Sequence, residues 1–366
     1  MSLPKNGTRP VKRKPIHPPK PKPSPLHPSV LIVIPTEYKV KNLSPVFNQG
    51  ACGGCWGYAS VGMVTDRLRT KDPQNLINLV LDPTMMIACA PPLQLQPGER
   101  CPSCCTSYLC NQGCTGGYVV GSNGLFGGFS AYSYIKNVGL CASLTPSYDS
   151  PGCYIQPKCD ELQSMYQDQP VFKATGEIYQ FGGGGDGFEP LKIIQLIQTE
   201  ILQNGPVIAS YKVFADCHSH SGDGVYITNG QSPVGDHSVE IVGWGSQNVS
   251  GYGNVPYWWV KNSWGTGWGE NGYFKFAMTD TTRHINEECF LDVPKNEGNG
   301  QTQYGTFFYD VDTRPHPAPK YKAITPCTVE PTPIEHIKNW FNDNKVVIII
   351  GIVIFILLMA ILAVVW

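Results

Sequence analysis

The chain has 366 residues, which is enough for one large domain or two smaller ones. Its 27 Lys and Arg residues nearly balance 28 Asp and Glu residues, so the overall charge gives no reason to expect nucleic-acid binding. The 14 cysteines indicate either disulfides in an oxidising compartment or metal ligands in a reducing one, and they exclude neither class of protein.

The N-terminal segment, residues 1–29, is rich in proline and lysine. It has too few apolar side chains to order itself, so we predict a disordered, polyproline-like arm. A partner-docking or nucleic-acid-binding arm is the functional alternative. The segment begins without an apolar stretch, so no cleavable secretory signal is predicted.

Residues 30–294 hold nearly all the Trp, Gly and Cys residues and are predicted to form one globular domain. Amphipathic patterns predict helices over Cys55–Thr70 and Pro190–Asn204. Short β-rich segments bounded by Gly or Pro predict strands around Pro206–Phe214, Ser238–Gly243, Tyr257–Lys261 and Gly272–Phe276. Because helices come early and strands late, the pattern favours an α+β fold with segregated halves.

The C-terminal part is predicted to carry a membrane anchor. Residues 295–345 are polar and contain prolines, so we interpret them as a stalk. Residues 346–366 carry no charge, and about 20 apolar residues suffice to span a bilayer. A buried core helix is the alternative, but it would need cover on every face. The pattern therefore predicts a single-pass membrane protein with a C-terminal transmembrane helix, for which the lipid bilayer is a partner.

The segment Asn-Gln-Gly-Ala-Cys-Gly-Gly-Cys-Trp, residues 48–56, contains a candidate nucleophile. A cysteine acts as a nucleophile only as its thiolate, and the N-terminus of a helix favours that anion. Cys55 opens the predicted helix directly after two glycines, and the side-chain amide of Gln49 is placed to donate to an oxyanion. Cys52-Gly-Gly-Cys55 is also a C-x-x-C motif, so redox or zinc chemistry stays open at this point.

Two downstream segments favour nucleophilic catalysis. His237 begins an apolar, strand-like run, and Asn262 lies among tryptophans in Tyr-Trp-Trp-Val-Lys-Asn-Ser-Trp. A thiol nucleophile needs a base that exchanges its proton and a neutral amide that orients the imidazole. An isolated histidine is more often structural, but the three segments together predict a catalytic site.

These segments resemble the papain and cathepsin family of cysteine proteases over about residues 40–294. The resemblance implies a papain-like two-lobed fold, with a helical left lobe, a β-rich right lobe and the active site in the cleft between them. It implies that Cys55 is the nucleophile, His237 the acid and base, Asn262 the orienting amide and Gln49 the oxyanion-hole donor.

The resemblance also implies a substrate groove. Cys-Asn-Gln-Gly-Cys-Thr-Gly-Gly-Tyr, residues 110–118, is similar to the glycine-rich strip with which the family pairs an extended polypeptide. The substrate-binding residues implied are Gly116, Gly117, Tyr118, Val119 and Trp264. Of these, Tyr118 and Val119 are expected to line an apolar second pocket, and Trp264 to cover the Asn–His pair. We expect no cofactor and no metal.

For the cysteines, the resemblance suggests the disulfides Cys52–Cys114 and Cys89–Cys153. Five cysteines crowd residues 101–114, and there disulfides, free thiols and a zinc site all remain open.

Details of the match lean toward cathepsin B, notably Thr65-Asp-Arg-Leu and Asn204-Gly-Pro-Val. The paired histidines that give cathepsin B its exopeptidase activity are not found between Cys141 and Cys159, so we expect an endopeptidase. We expect no family-type propeptide before Cys55. The expected lack of a signal and of a propeptide, together with the predicted anchor, suggests a protein of a large DNA virus on a host or virion membrane. The alternatives are a catalytically silent papain-fold protein, kept for peptide binding or structure, and a ligase of the same fold.

Overall fold

The computed structural model describes residues 32–90, 113–120, 130–144, 159–181, 190–228, 232–280, 282–286 and 306–320. The predicted arm, residues 1–29, and the predicted transmembrane helix, residues 346–366, lie outside the described residues. Within the described part of the chain, no helix is long and apolar enough to cross a membrane. The chain divides into a unit of residues 1–320 and a unit of residues 321–366, and all the described residues belong to the first.

Helices dominate the first half of the described chain. The longest, α1, spans Cys55–Lys71 and buries nearly every side chain from Trp56 to Leu68, as an inner helix must. The predicted helix over Cys55–Thr70 is therefore confirmed. The second predicted helix is confirmed as α6, Pro190–Asn204. The shorter helices are α2 (Pro73–Leu76), α3 (Thr84–Cys89), α4 (Ala131–Asn137), α5 (Cys159–Met165) and α7 (Ala215–His218).

Strands dominate the second half and form one eight-stranded sheet in the order β4, β10, β5, β7, β8, β9, β6, with β1 paired to β7. A separate two-stranded sheet joins β2 to β3. All these pairs are antiparallel except β6 with β9. The strands are β1 (Tyr38–Lys39), β2 (Leu140–Cys141), β3 (Val171–Phe172), β4 (Ala174–Phe181), β5 (Val207–Phe214), β6 (Val225–Tyr226), β7 (Pro233–Val249), β8 (Gly253–Lys261), β9 (Tyr273–Ala277) and β10 (Thr306–Val311).

The four predicted strands are confirmed as β5, β7, β8 and β9, which lie side by side in the sheet. The burial along β7 explains where the functional residues lie. Its first four residues are exposed, and it becomes buried at His237. The strand thus enters the core at this histidine, close to the N-terminus of α1.

The prediction of a stalk from residue 295 is wrong for residues 306–311. Residues 306–311 form β10, which inserts between β4 and β5. Phe307, Phe308 and Tyr309 are at most 2% exposed, so this strand completes the core. Buried aromatic side chains supply a large apolar area, which is why a polar, proline-containing region can still provide a central strand.

A buried arginine ties α1 to α6 and to the sheet. Arg67 is fully buried, and its Nη2 lies 2.6 Å from Oε1 of Glu200 on α6. Its Nη1 donates to the carbonyl of Pro206 at 3.0 Å, and its guanidinium lies 4.6 Å from the centre of the Phe308 ring. One side chain therefore joins α1, α6 and β10.

We predict that Phe307→Ala destabilises the protein by about 3–5 kcal/mol, because a fully buried aromatic side chain is replaced by a cavity. Urea unfolding followed by tryptophan fluorescence measures the change. Arg314→Ala is the control, since that side chain is exposed and lies beyond β10. Equal stability of the Phe307 variant and wild type would show that residues 306–311 are not part of the core.

Candidate active site

Cys55 is the first residue of α1 and follows Gly53 and Gly54. The turn is anchored to the glycine-rich segment, because the backbone N–H of Gly53 donates to the carbonyl of Cys114 at 3.0 Å. Cys52 and Cys114 form a disulfide at the same place, as predicted. A disulfide and a backbone hydrogen bond thus hold the nucleophile candidate at the positive end of a helix.

The thiol of Cys55 is half-buried and is not in a disulfide. Burial raises its pKa, while the backbone N–H groups of Ser238 and Trp56 lower it in part. The carboxylate of Asp236 acts in the same direction as burial. The contact with Ser238 places the sulfur against the residue that directly follows His237.

His237 and Asn262 meet across the sheet. His237 Nε2 lies 2.7 Å from Asn262 Oδ1, and both residues are at most 4% exposed. Asn262 Oδ1 also accepts the backbone N–H of Ser263 at 2.8 Å, which identifies it as the amide oxygen. An amide oxygen only accepts, so His237 carries its proton on Nε2 and leaves Nδ1 as the basic nitrogen.

Trp264 covers this pair on one side. Its ring centre lies 4.7 Å from that of His237, and His218 stacks on the indole at 5.1 Å. The pKa of His237 is lowered to about 4: burial is the main cause, the hydrogen bond to Asn262 opposes it in part, and His218 adds to the lowering. An imidazolium at His237 therefore needs a nearby negative charge to form at neutral pH.

Gln49 is brought next to Asn262 by short backbone pairing. The backbone N–H of Gln49 donates to the carbonyl of Ser263 at 2.8 Å. Its side chain is fixed at both ends, since Oε1 accepts from the Ser263 hydroxyl at 2.5 Å and Nε2 donates to the Cys52 carbonyl at 2.9 Å. The amide nitrogen has two hydrogens, so one N–H is left to point at a ligand.

The predicted substrate-binding strip lies beside the N-terminus of α1. Gly117 packs flat on the indole of Trp56, where a Cβ atom would overlap the ring. Gly116 has a φ of +117°, a conformation that favours glycine. Tyr118 is partly exposed, whereas Val119 is only 2% exposed and belongs to the main core. Tyr118 therefore presents more side-chain surface to a ligand than Val119 does.

The second predicted disulfide has a different partner. Cys89 at the end of α3 is bonded to Cys159 at the start of α5 and not to Cys153. The two helix ends bring these cysteines together, and sequence spacing alone does not separate two candidate cysteines six residues apart. Cys153 and four of the five crowded cysteines lie outside the described residues, whereas Cys114 belongs to the first disulfide.

A buried group of charged residues next to the site was missed by the sequence analysis. Lys261 precedes Asn262 on the chain and lies 2.6 Å from Asp66 Oδ2 on α1 and 3.7 Å from Glu240 Oε2 on β7. Ser44 completes the group, since its hydroxyl accepts from Lys261 at 2.8 Å and its backbone N–H donates to Asp66 at 2.6 Å. Glu240, an acid inside an apolar strand, was the available signal for it.

Burial affects the charges of Glu240 and Lys261 differently. Burial raises the pKa of Glu240 well above its usual range, Lys261 lowers it in part, and Asp66 raises it again. For Lys261, burial lowers the pKa, but Asp66 and Glu240 more than compensate, and the net shift is upward. The group thus favours the charged form of Lys261 and the protonated form of Glu240. Within the described ranges, no three His, Cys, Asp or Glu side chains are grouped as they are in a metal site.

Comparison with protein families identifies the scaffold. Residues 35–293 match the family model described as papain family cysteine protease. The chain belongs to the papain family of cysteine proteases. The match covers α1, the glycine-rich strip and strands β7 to β9, which together carry the candidate site.

Two relatives show which papain-family members the chain is similar to. It is 31% identical over 266 residues to the cathepsin B-like cysteine proteinase 3 of Caenorhabditis elegans, covering 70% of this chain and 63% of the relative. It is 31% identical over 261 residues to the cathepsin B-like protease 1 of Arabidopsis thaliana, covering 69% of this chain and 58% of that protein. The chain therefore aligns with less than two thirds of the length of either relative.

A solved structure supports the fold. The procathepsin B S9 of Trypanosoma congolense aligns with a TM-score of 0.50 and 21% sequence identity, over 77% of this chain and 79% of the other. Papain-like architecture is thus found by sequence and by structure. The papain-like part of the predicted fold class is confirmed, whereas the predicted transmembrane helix lies outside the described residues.

We predict that Gly117→Ala destabilises the protein by about 1–3 kcal/mol, because the added methyl group forces the buried indole of Trp56 to move. Since Trp56 follows Cys55 on α1, the thiol is expected to shift with it. Urea unfolding measures the loss, and Gly224→Ala is the matched control, since its Cβ atom meets nothing within 4 Å. Equal midpoints for the two variants would contradict the contact.

Proposed function

We propose that the chain is a thiol protease that hydrolyses peptide bonds through an acyl-enzyme on Cys55. The observation that carries the proposal is the hydrogen bond of 2.7 Å from His237 to Asn262 beside a thiol at the N-terminus of α1. It leaves the basic nitrogen of His237 available to a proton donor. Membership of the papain family supports the same chemistry.

The first half of the reaction transfers the acyl group. The proton of Cys55 Sγ passes to His237 Nδ1, and the thiolate attacks the substrate carbonyl to form a C–S bond. The remaining N–H of Gln49 Nε2 and the backbone N–H of Cys55 stabilise the oxyanion. The imidazolium then gives its proton to the leaving amine as the C–N bond breaks.

The second half releases the product. Water replaces the amine, and His237 takes one of its protons as the oxygen attacks the thioester carbonyl. The C–S bond breaks, the proton returns to sulfur, and the carboxylic acid leaves. Asn262 holds the imidazole plane through both halves, because its oxygen accepts from Nε2 throughout.

Burial disfavours the ionised form of the Cys55–His237 pair. Burial acts against a thiolate on Cys55 and against an imidazolium on His237. Moving one proton between them creates both charges together, and opposite charges about 4 Å apart attract by about 4 kcal/mol at a moderate effective dielectric. The helix N-terminus adds to the stabilisation of sulfur.

The proposed substrates are polypeptides that bind in an extended conformation along Gly116 and Gly117. Internal cleavage is proposed because the sequence has no paired histidines of the cathepsin B type between Cys141 and Cys159 to hold a terminal carboxylate. Tyr118, with its exposed surface, is proposed to contact a bulky apolar residue just upstream of the cleaved one. The presence of all four catalytic candidates argues against a silent papain-fold protein.

We also propose that the protein is attached to a membrane through residues 346–366. The proposal rests on their uncharged sequence and on the length needed to span a bilayer. Viral origin stays a prediction from the sequence.

Replacement of His237 is predicted to shift the pH dependence of Cys55 alkylation. In His237→Ala burial still raises the pKa of the Cys55 thiol above its usual range, so less thiolate is present at neutral pH. The iodoacetamide rate is expected to fall about tenfold or more at pH 7 and to recover at alkaline pH. Peptide mass mapping follows Cys55 separately from Cys217, whose pKa burial raises to about 11. His220→Ala is the control, and identical profiles for both variants would exclude His237 as the proton acceptor.

Endopeptidase activity is predicted to survive blocking of both substrate ends. A peptide with an acetylated N-terminus, an amidated C-terminus and one internal bulky apolar residue is expected to be cut internally, at about the rate of its unblocked form. Mass spectrometry identifies the fragments, and Cys55→Ala is expected to abolish them. Stepwise shortening of the unblocked peptide alone would instead show an exopeptidase.

A further inference from the structure

Glu240 lies close to the site but takes no part in the proposed reaction. It is three residues after His237 on β7 and is the cross-strand neighbour of Lys261 on β8. The residue is only 2% exposed. Space for its carboxyl group comes from Gly62 on α1, where a Cβ atom would lie 2.8 Å from Glu240 Oε2.

Two buried polar atoms in this region have no hydrogen-bond partner among the described residues. They are Oε1 of Glu240 and Nδ2 of Asn262. The other atoms of both groups are engaged, Oε2 with Lys261 and Oδ1 with His237. Buried polar groups are nearly always paired with protein or with ordered water, so both atoms call for a partner.

Both residues line the same small cavity. Its volume is about 10 Å³, and its wall also includes Phe47, Tyr58 and Gly62. A space of this size accepts about one water molecule, provided that polar atoms are there to bind it. The wall offers complementary groups, because Asn262 Nδ2 can only donate and Glu240 Oε1 can accept.

We propose that one ordered water in this cavity accepts a hydrogen bond from Asn262 Nδ2 and donates one to Glu240 Oε1, which makes Glu240 a positioning residue for the catalytic pair. The inference deepens the proposed function and rests on it. Glu240 acts through the water on Asn262, and Asn262 acts on His237.

The consequence concerns the orientation of one amide. Asn262 Oδ1 accepts from both Ser263 and His237, so rotation of the amide breaks both bonds at once. A water on Nδ2 resists that rotation from the opposite end of the group. Without it the imidazole is oriented less tightly, which lowers the rate of the chemical step more than it changes substrate binding.

Glu240→Met keeps the length of the side chain but removes the acceptor. We expect kcat to fall about tenfold while KM changes little, since a less tightly oriented imidazole weakens the transition state more than substrate binding. Glu240→Gln keeps an oxygen at the same position and is expected to restore most of the lost rate. Glu200→Gln is the matched control, because it alters another buried acidic side chain, that of the Arg67 pair, and is expected to lower stability without lowering kcat.

A double-mutant cycle in the full chain separates positioning from general destabilisation. In an Asn262→Ala background, Glu240→Met is expected to cause no further loss of kcat, because the group on which it acts is gone. A tenfold loss in both backgrounds, or no loss in either, would overturn the inference while leaving the proposed function intact. Wild-type protein without Cys55-dependent peptide hydrolysis would overturn the proposed function, and the role of Glu240 with it.

A high-resolution crystal structure tests the water independently of activity. Density is expected within hydrogen-bonding distance of Asn262 Nδ2 and Glu240 Oε1 in the wild type, and not in Glu240→Met. A cavity without density in the wild type would exclude the water.

Discussion

The buried ion pair between Asp66 and Lys261 is the contact on which the site depends. α1 supplies the nucleophile candidate Cys55, β7 supplies His237, and Asn262 directly follows the end of β8. Asp66 lies about three turns along α1 from Cys55, and Lys261 directly precedes Asn262. Their contact of 2.6 Å therefore fixes the helix against the strand from within the core. Breaking such a pair leaves one charge buried and unpaired, which typically costs about 3–5 kcal/mol.

Around this contact the molecule keeps its charges out of water in two different ways. In the structural group, Lys261 pairs with Asp66, and burial raises the pKa of the neighbouring Glu240. In the proposed catalytic pair, burial acts against each charge separately, so both charges form together when a proton moves from Cys55 to His237. Asn262 connects the two groups, because it binds His237 and lines the same cavity as Glu240 and Lys261. The buried charges of Lys261 and Asp66 therefore lie next to the pair that exchanges a proton.

Much of this arrangement could be read from the sequence, because local signals carried it. The Gly-Gly turn before Cys55 predicted the start of α1, and apolar runs bounded by Gly or Pro predicted β5, β7, β8 and β9. The pairing of segments that lie far apart in the sequence was harder to predict. Strand β10 is short and surrounded by polar sequence, although its Phe-Phe-Tyr run was a signal for a buried strand. The partner of Cys89 and the place of Glu240 depend on which elements become neighbours, and neither can be obtained from spacing along the chain.

Covalent labelling by a peptidyl epoxide is the most direct measurement of a competent thiol site. Such a probe reacts fastest where a groove that binds an extended peptide presents an activated thiolate to the epoxide. The full chain is expected to gain one probe mass, mapped to Cys55, and to lose labelling in both Cys55→Ala and His237→Ala. Folded wild-type protein that stays unlabelled, or that carries the probe on another cysteine, would contradict catalysis by Cys55 and His237.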